Sequence, residues 1–180
     1  MLSKTMQDAI NEQIQKEYHS SYLYLAMSAY CEASNLPGSA QWMRIQSQEE
    51  LSHAMKLFDH MVDRGGRITL QAIQQPAAEY KSALDVFEKV LAHEQLVTAS
   101  IHKLYALAVK ENDYPAQIML QWFVTEQVEE EKNADAVVQQ LRLAGDQAAG
   151  LFMIDRELAL RTFIYPGALA PGAGGGGTAA

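Results

Sequence analysis

Four glutamates occupy positions where glutamate is costly. Glu17, Glu50, Glu94 and Glu130 each interrupt an apolar stripe of helical period. Ile10, Ile14, Ser21 and Tyr24 flank Glu17. Met43, Ala54, Leu57 and Met61 flank Glu50, with His53 one turn away. Phe87, Val90, Leu91, Thr98 and Ile101 surround Glu94, and Phe123, Ala134, Val137 and Leu141 surround Glu130. Residues three, four and seven apart share a helix face, so four carboxylates point toward a core. A buried carboxylate must be paired or bound to metal. One histidine cannot balance four acids, whereas a pair of divalent or trivalent metal ions can. Glu50 and His53 form an E-x-x-H unit whose side chains can chelate one ion, and this donor set suits iron, manganese or zinc.

An isolated E-x-x-H on an acidic helix is usually surface decoration. Its meaning here comes from the other three acids. Carboxylate-bridged di-metal bundles take one Glu from each of two helices and Glu-x-x-His from the other two. Glu17, Glu94 and Glu50 with His53 match three of these elements; the fourth reads Gln127-x-x-Glu130, without histidine. Glu49, Glu126 and Glu129 adjoin the same layer and predict a third cation position. Glu131 reads as part of a solvated acidic face. Tyr24 lies two turns from Glu17 on its face. It is expected to pack in the core, with its hydroxyl bonded to a ligand carboxylate or serving as a one-electron donor. Trp122 reads as a packing residue, with electron donation the alternative, and His19, His60, His93 and His102 read as ordinary helix residues.

The elements that must position these groups are helices; nothing in the first 160 residues alternates with a strand period. The first spans about 4 to 34 and ends at Asn35-Leu36-Pro37-Gly38. The second runs from Ser39 to Arg64 and stops at Gly65-Gly66. Residues 67 to 81 read as irregular. The third starts near Ser82, where Ser82 and Asp85 suggest a capping box, and reaches Glu111. Asp113 and Pro115 open the fourth, which ends near Ala144, before Gly145. A short fifth covers about Gly150 to Arg161, apolar through Leu151, Ile154 and Leu158.

Short turns make helices one and two, and three and four, antiparallel hairpins. A helix of this length spans about 40 Å, and some fifteen extended residues reach about 50 Å. The connection between helices two and three can therefore cross the whole bundle. Each hairpin also places its two acids symmetrically about its turn, so the four carboxylates can meet in one layer. The expected fold is all-α: a four-helix bundle with one long crossover and a short fifth helix. Residues 1–162 form that domain, and 163–180 form a flexible Gly-rich tail.

The chain has 22 acidic and 14 basic residues among 180, a formal charge of -8. That balance disfavours nucleic acid and anionic membranes as partners. No apolar run approaches the roughly 18 residues that span a bilayer, and the N-terminus lacks a signal-peptide core. One cysteine, Cys31, excludes an internal disulfide and a four-cysteine metal site; it reads as a small buried apolar residue. A cytoplasmic setting is expected.

With these residues in view, the chain closely resembles the bacterial non-haem ferritins over about residues 1 to 160. The likeness rests on Asn11-Glu12-Gln13, Glu17, Tyr24, the run from Glu49 to His53, His93-Glu94-Gln95-Leu96, Asn112 to Pro115, Gln121-Trp122 and the acidic run from Glu126 to Lys132. It implies a shell of twenty-four subunits that oxidises Fe(II) with oxygen or peroxide and stores the ferric mineral. It also implies iron ligation by Glu17, Glu50, His53 and Glu94 at one position. Glu50, Glu94 and Glu130 would hold a second iron, with Glu50 bridging. Glu49, Glu126, Glu129 and Glu130 would form the third site, and Gln127 would be a weak ligand or a partner behind one. Haem is not expected, because Ser52 stands where an axial methionine would fall. A di-iron oxygenase acting on a small substrate as a small oligomer is the alternative, and a purely structural bundle the non-enzyme one.

Overall fold

The computed structural model describes residues 2–163. The expected Gly-rich tail from residue 163 onward lies outside the described residues, apart from Phe163. Five helices account for most of the described chain: α1 Lys4–Ala33, α2 Pro37–Asp63, α3 Ala83–Lys110, α4 Tyr114–Ala144 and α5 Ala148–Leu158. Among the described residues there is no strand. None of these helices is long and apolar enough to cross a membrane.

Local chemistry sets the helix ends. Ser3, Ser82 and Asp113 each accept a hydrogen bond from a first-turn N–H, of Met6, Asp85 and Ala116 respectively. The turn of each hairpin carries an asparagine with positive φ, Asn35 at 58° and Asn112 at 55°. Short polar side chains tolerate this left-handed backbone, and the following N–H then reaches back to an orphan carbonyl. Leu36 N–H donates to the Cys31 carbonyl, and Asp113 N–H to that of Ala108. Helix α2 begins at Pro37, two residues before the expected Ser39, because Pro fits the first turn and its missing N–H leaves nothing unsatisfied.

The start of α2 has no cap from its own segment. Asp155 of α5 supplies one. Its carboxylate accepts from Gly38 N–H at 2.9 Å, from Ser39 N–H at 2.7 Å and from the Ser39 hydroxyl at 2.8 Å. Buried anion and helix N-terminus satisfy each other. The approach demands glycine: a Cβ at position 38 would lie 1.6 Å from the Asp155 carbonyl oxygen. Helix α5 itself starts two residues earlier and ends three earlier than expected, with Leu158 buried against the bundle.

At one end of the bundle Arg64, just past α2, pairs with Asp113 of the α4 cap at 2.8 Å. Ser3 donates to Glu111 at the same end. So α2 finishes where α4 starts, and the chain must return along the bundle before α3. The crossover does so against α1. Asn11 donates to the Arg67 carbonyl at 3.0 Å and accepts from Thr69 N–H at 2.9 Å. Arg67 N–H donates to Gln7 at 3.0 Å.

The core falls into two apolar halves. One, toward α5, gathers Tyr24, Met27, Cys31, Trp42, Met43, Phe87 and Val138. The other gathers Met6, Ile10, Ile14, Leu57, Met61, Ile101, Leu120 and Phe123. Cys31 is fully buried, and burial pushes its thiol up to about 12. Between the halves lies the layer that contains the four glutamates.

Candidate metal centre

Glu17, Glu50 and Glu94 have no exposed surface, and Glu130 and His53 retain 5% and 3%. Burial and mutual repulsion act together on these carboxyls. Glu17 is raised well above the ordinary range by desolvation and then by Glu50. Glu50 is raised by desolvation, then by Glu94 and Glu130. Glu94 is raised mainly by desolvation, and Glu130 is pushed up to about 8 by desolvation, Glu94 and Glu49. Each shift means that this layer resists negative charge unless positive charge enters with it.

Donors from behind hold three of the four acids. Gln13 donates to Glu17 Oε1 at 2.8 Å. Gln46 donates to Glu130 Oε2 at 2.6 Å. Tyr24 donates its hydroxyl to Glu94 Oε1, and Gln127 donates to Glu94 Oε2 at 3.3 Å. Gln13 and Gln46 are themselves oriented from outside. Ser100 donates to the Gln13 carbonyl at 2.6 Å and accepts from Lys16 at 2.8 Å. Arg161 donates to the Gln46 carbonyl at 2.6 Å. An amide whose oxygen is engaged must turn its NH2 inward, toward the carboxylate.

Glu50 differs from the rest. Both of its oxygens are buried without a hydrogen-bond partner, as is Glu17 Oε2. Native interiors leave few polar atoms in this state, and each requires an explanation. Of these three oxygens, Glu50 Oε2 lies 3.5 Å from His53 Nδ1. One ligand atom from each of Glu17, Glu50 and His53 lies within 4.8 Å of the others. His53, Glu126 and Glu130 form a second group by the same measure. Both groups draw on His53, and the residues of this layer could hold a metal ion, with unsatisfied carboxylate oxygens among them. The His53 ring is fixed edge-on against Trp122 and Phe123, at 5.3 and 5.9 Å between centroids. Trp122 thus packs, as expected, and Lys56 lies 4.5 Å over its ring.

At the third expected position the side chains open toward the surface. Glu49 and Glu126 are half-buried and Glu129 is exposed. Burial raises Glu49, with Arg161 opposing and Glu126 and Glu129 adding to the rise. Glu131 departs from the solvated reading: it is half-buried and accepts from the Thr98 hydroxyl at 2.5 Å.

His93 also differs from an ordinary helix residue. It bonds the Ser20 hydroxyl at 2.8 Å and meets Tyr24 edge-on at 5.9 Å. Burial, with help from His19, pushes it down to about 4. His19 and His93 line a surface cavity of about 650 Å³ between α1, α3 and the crossover, which none of the four glutamates lines.

Sequence reasoning misses Gln13, Gln46, Thr98, Asp155 and Arg161. The glutamines carry a readable signal: each stands four residues before a core glutamate, on its face. Arg161 and Asp155 carry none, because their partners are more than a hundred residues away.

Comparison with known proteins places this architecture. A family model described as a Ferritin-like domain matches residues 7–144. The bacterial non-heme ferritin of Escherichia coli O6:H1 is 40% identical over 158 residues, covering 88% of this chain and 96% of that protein. That of Bacteroides fragilis (strain 638R) is 43% identical over 161 residues, covering 89% and 100%. The open-pore ferritin of the archaeon Archaeoglobus fulgidus superimposes with a TM-score of 0.89 at 46% identity, covering 90% of this chain and 100% of that one. An engineered closed form of the same ferritin gives 0.90 at 48%, covering 91% and 100%. An all-α bundle with one long crossover, a short fifth helix and a buried carboxylate layer thus aligns with these proteins over nearly their whole length, and the chain belongs to the ferritin family.

Proposed function

We propose that this protein stores iron and oxidises it on entry: a ferroxidase whose substrate is Fe(II) and whose product is retained as ferric mineral. The observation that carries the reading is Glu50, buried among three other carboxylates with neither oxygen hydrogen-bonded, and with the His53 Nδ1 3.5 Å from its Oε2. Cations on both sides would satisfy a carboxylate in that position, which is the role of a bridge. Glu17, His53 and Glu94 complete one iron position; Glu94 and Glu130 complete the other.

The chain's residues divide the work. Gln13, Gln46, Tyr24 and Gln127 hold the ligand oxygens in place, so little reorganisation accompanies binding. Fe(II) gives up one electron per ion to oxygen or peroxide, and the carboxylates stabilise the higher charge that results. With one histidine for two metals, the second position is all oxygen and binds less firmly. That asymmetry favours turnover of iron toward storage. Glu49, Glu126, Glu129 and Glu130 offer the next position outward. Tyr24, bonded to Glu94, positions that ligand and is the candidate electron donor. The family likeness supports assembly into a hollow homo-oligomer of twenty-four subunits in the cytoplasm.

The test is aerobic Fe(II) oxidation at high iron-to-protein ratio, in wild type and in Glu50→Ala and Glu130→Ala, with sizing of the product. Hundreds of irons retained per large particle, with the fast phase lost in Glu50→Ala and slowed in Glu130→Ala, support the reading. About two irons held per chain in a small oligomer would instead favour a di-iron oxygenase.

A further inference from the structure

Arg161 belongs to neither the bundle nor the metal layer by sequence. It lies three residues beyond α5. Its guanidinium nevertheless reaches two groups of the carboxylate cluster. One nitrogen donates to Glu49 Oε2, and the other to the Gln46 carbonyl at 2.6 Å. Gln46 passes the constraint inward, donating to Glu130 Oε2 at 2.6 Å. The same guanidinium stacks on Trp42, 4.4 Å from the ring centroid. The Arg161 and Glu49 side chains are only 19% and 23% exposed, so this pair is better shielded than an ordinary surface ion pair. Stacking and a forked donor geometry are what arginine provides and lysine does not.

The proposed outer cation position draws on Glu49, Glu126, Glu129 and Glu130, and one of these, Glu49, is already paired with a cation. Resting on the proposed iron-storage reading, we propose that Arg161 is a built-in cation of the third iron site. It holds Glu49 when iron is absent, and an arriving ion must displace it or bind beside it. The site is thereby kept weak and exchangeable, a transit position between the buried pair and the outside of the bundle. Arg161 acts on iron through Glu49 and Gln46 and is a positioning residue.

Electrostatics sets the direction and size of the effect. A divalent ion on the Glu49 carboxylate would sit within roughly 4 to 6 Å of the guanidinium, where like charges repel appreciably even at an effective dielectric constant near 20. Removing the arginine charge should tighten the third position by about tenfold or more, after allowance for its partial exposure. In the buried pair, the position completed by Glu17 and His53 should change little, and any effect there should reach only the Glu130 side, through Gln46.

The test uses the full chain, freed of metal with a chelator and titrated with Zn(II), which cannot be oxidised. Calorimetry counts and ranks the sites in wild type, Arg161→Met and Arg161→Lys. Methionine keeps the apolar stem over Trp42 and removes the charge; lysine keeps the charge and loses the fork. The expected result is two tight sites and one weak site per chain in wild type. The weak site tightens at least about tenfold in Arg161→Met and stays within about threefold of wild type in Arg161→Lys. Equal tightening in both variants would show that the fork and not the charge matters, and overturns the proposal. An unchanged or weakened third site in Arg161→Met, with the two tight sites intact, overturns this inference alone. Failure of wild type to bind two Zn(II) tightly overturns the di-iron reading and this inference together. Sizing and circular dichroism, matched to wild type, confirm that each variant is folded and assembled.

Discussion

Replacing Glu50 with methionine should make the metal-free protein more stable while abolishing its response to metal. Glu50 is fully buried and neither oxygen has a hydrogen-bond partner; the His53 Nδ1 lies 3.5 Å from Oε2, beyond a good hydrogen bond. Leaving a buried polar group unsatisfied costs about 1–3 kcal/mol, and an apolar group of similar shape removes that penalty. Methionine matches the length and flexibility of glutamate and suits a layer bounded above and below by apolar side chains. The substitution also removes the repulsion that Glu50 exchanges with Glu17, Glu94 and Glu130. We expect a net gain of about 2 kcal/mol, taking the middle of the desolvation range. For a domain of this size that corresponds to a rise of roughly 4–8 °C in the unfolding midpoint. Differential scanning calorimetry in chelator, and again in excess Zn(II), reads both halves of the prediction. Wild type should rise strongly with Zn(II); Glu50→Met should start higher and rise much less. A variant that unfolds earlier than wild type in chelator would show that Glu50 is well satisfied by the protein alone, and the metal argument would fail. So would a variant that gains as much from Zn(II) as wild type does.

Three further outcomes follow from the same geometry. Glu17, Glu50, Glu94 and Glu130 all have folded-state carboxyls raised above their unfolded values, Glu130 to about 8. The native state therefore binds more protons than the unfolded one between about pH 4.5 and 8, and the contribution of these groups to stability falls as pH rises through that window. Chemical denaturation in chelator should show this decline, and excess Zn(II) should remove most of it; a flat profile in chelator would contradict the burial argument. Gly38→Ala places a Cβ 1.6 Å from a backbone oxygen of α5, and should cost about 3 kcal/mol or release the helix; hydrogen exchange over residues 148–158 distinguishes a docked α5 from a freed one. Tyr24→Phe removes the hydroxyl that Glu94 accepts from. It should leave the fold intact and slow Fe(II) oxidation about tenfold, by the usual size of a partner behind a metal ligand; a rate equal to wild type would assign Tyr24 to packing only.

The bundle is legible in the amino-acid order because its signals are local and periodic. A glutamate in an apolar stripe is visible at a spacing of three and four, and the hairpin turns put Glu17 beside Glu50, and Glu94 beside Glu130, by counting alone. Glu131 misleads because helical spacing locates a face but not the neighbour across it, here Thr98 of α3. His93 escapes notice for a similar reason: its setting is made by Ser20 and Tyr24 of another helix.

By itself, then, the amino-acid order determined the helices, their pairing into hairpins, the length that lets the crossover return, and the level of the four core acids. These follow from backbone periodicity and chain reach, which act over a few residues or scale with length. Tertiary structure alone decided which oxygens are satisfied. Gln13 and Gln46 could have faced either way until Ser100 and Arg161 engaged their carbonyls. Asp155 became the cap of α2 only because Gly38 let the two backbones meet. Glu50 was left without a hydrogen bond because Gln13, Gln46 and Gln127 make theirs to other acids. Hydrogen-bond satisfaction is a property of neighbours in space, and no spacing along the chain encodes it.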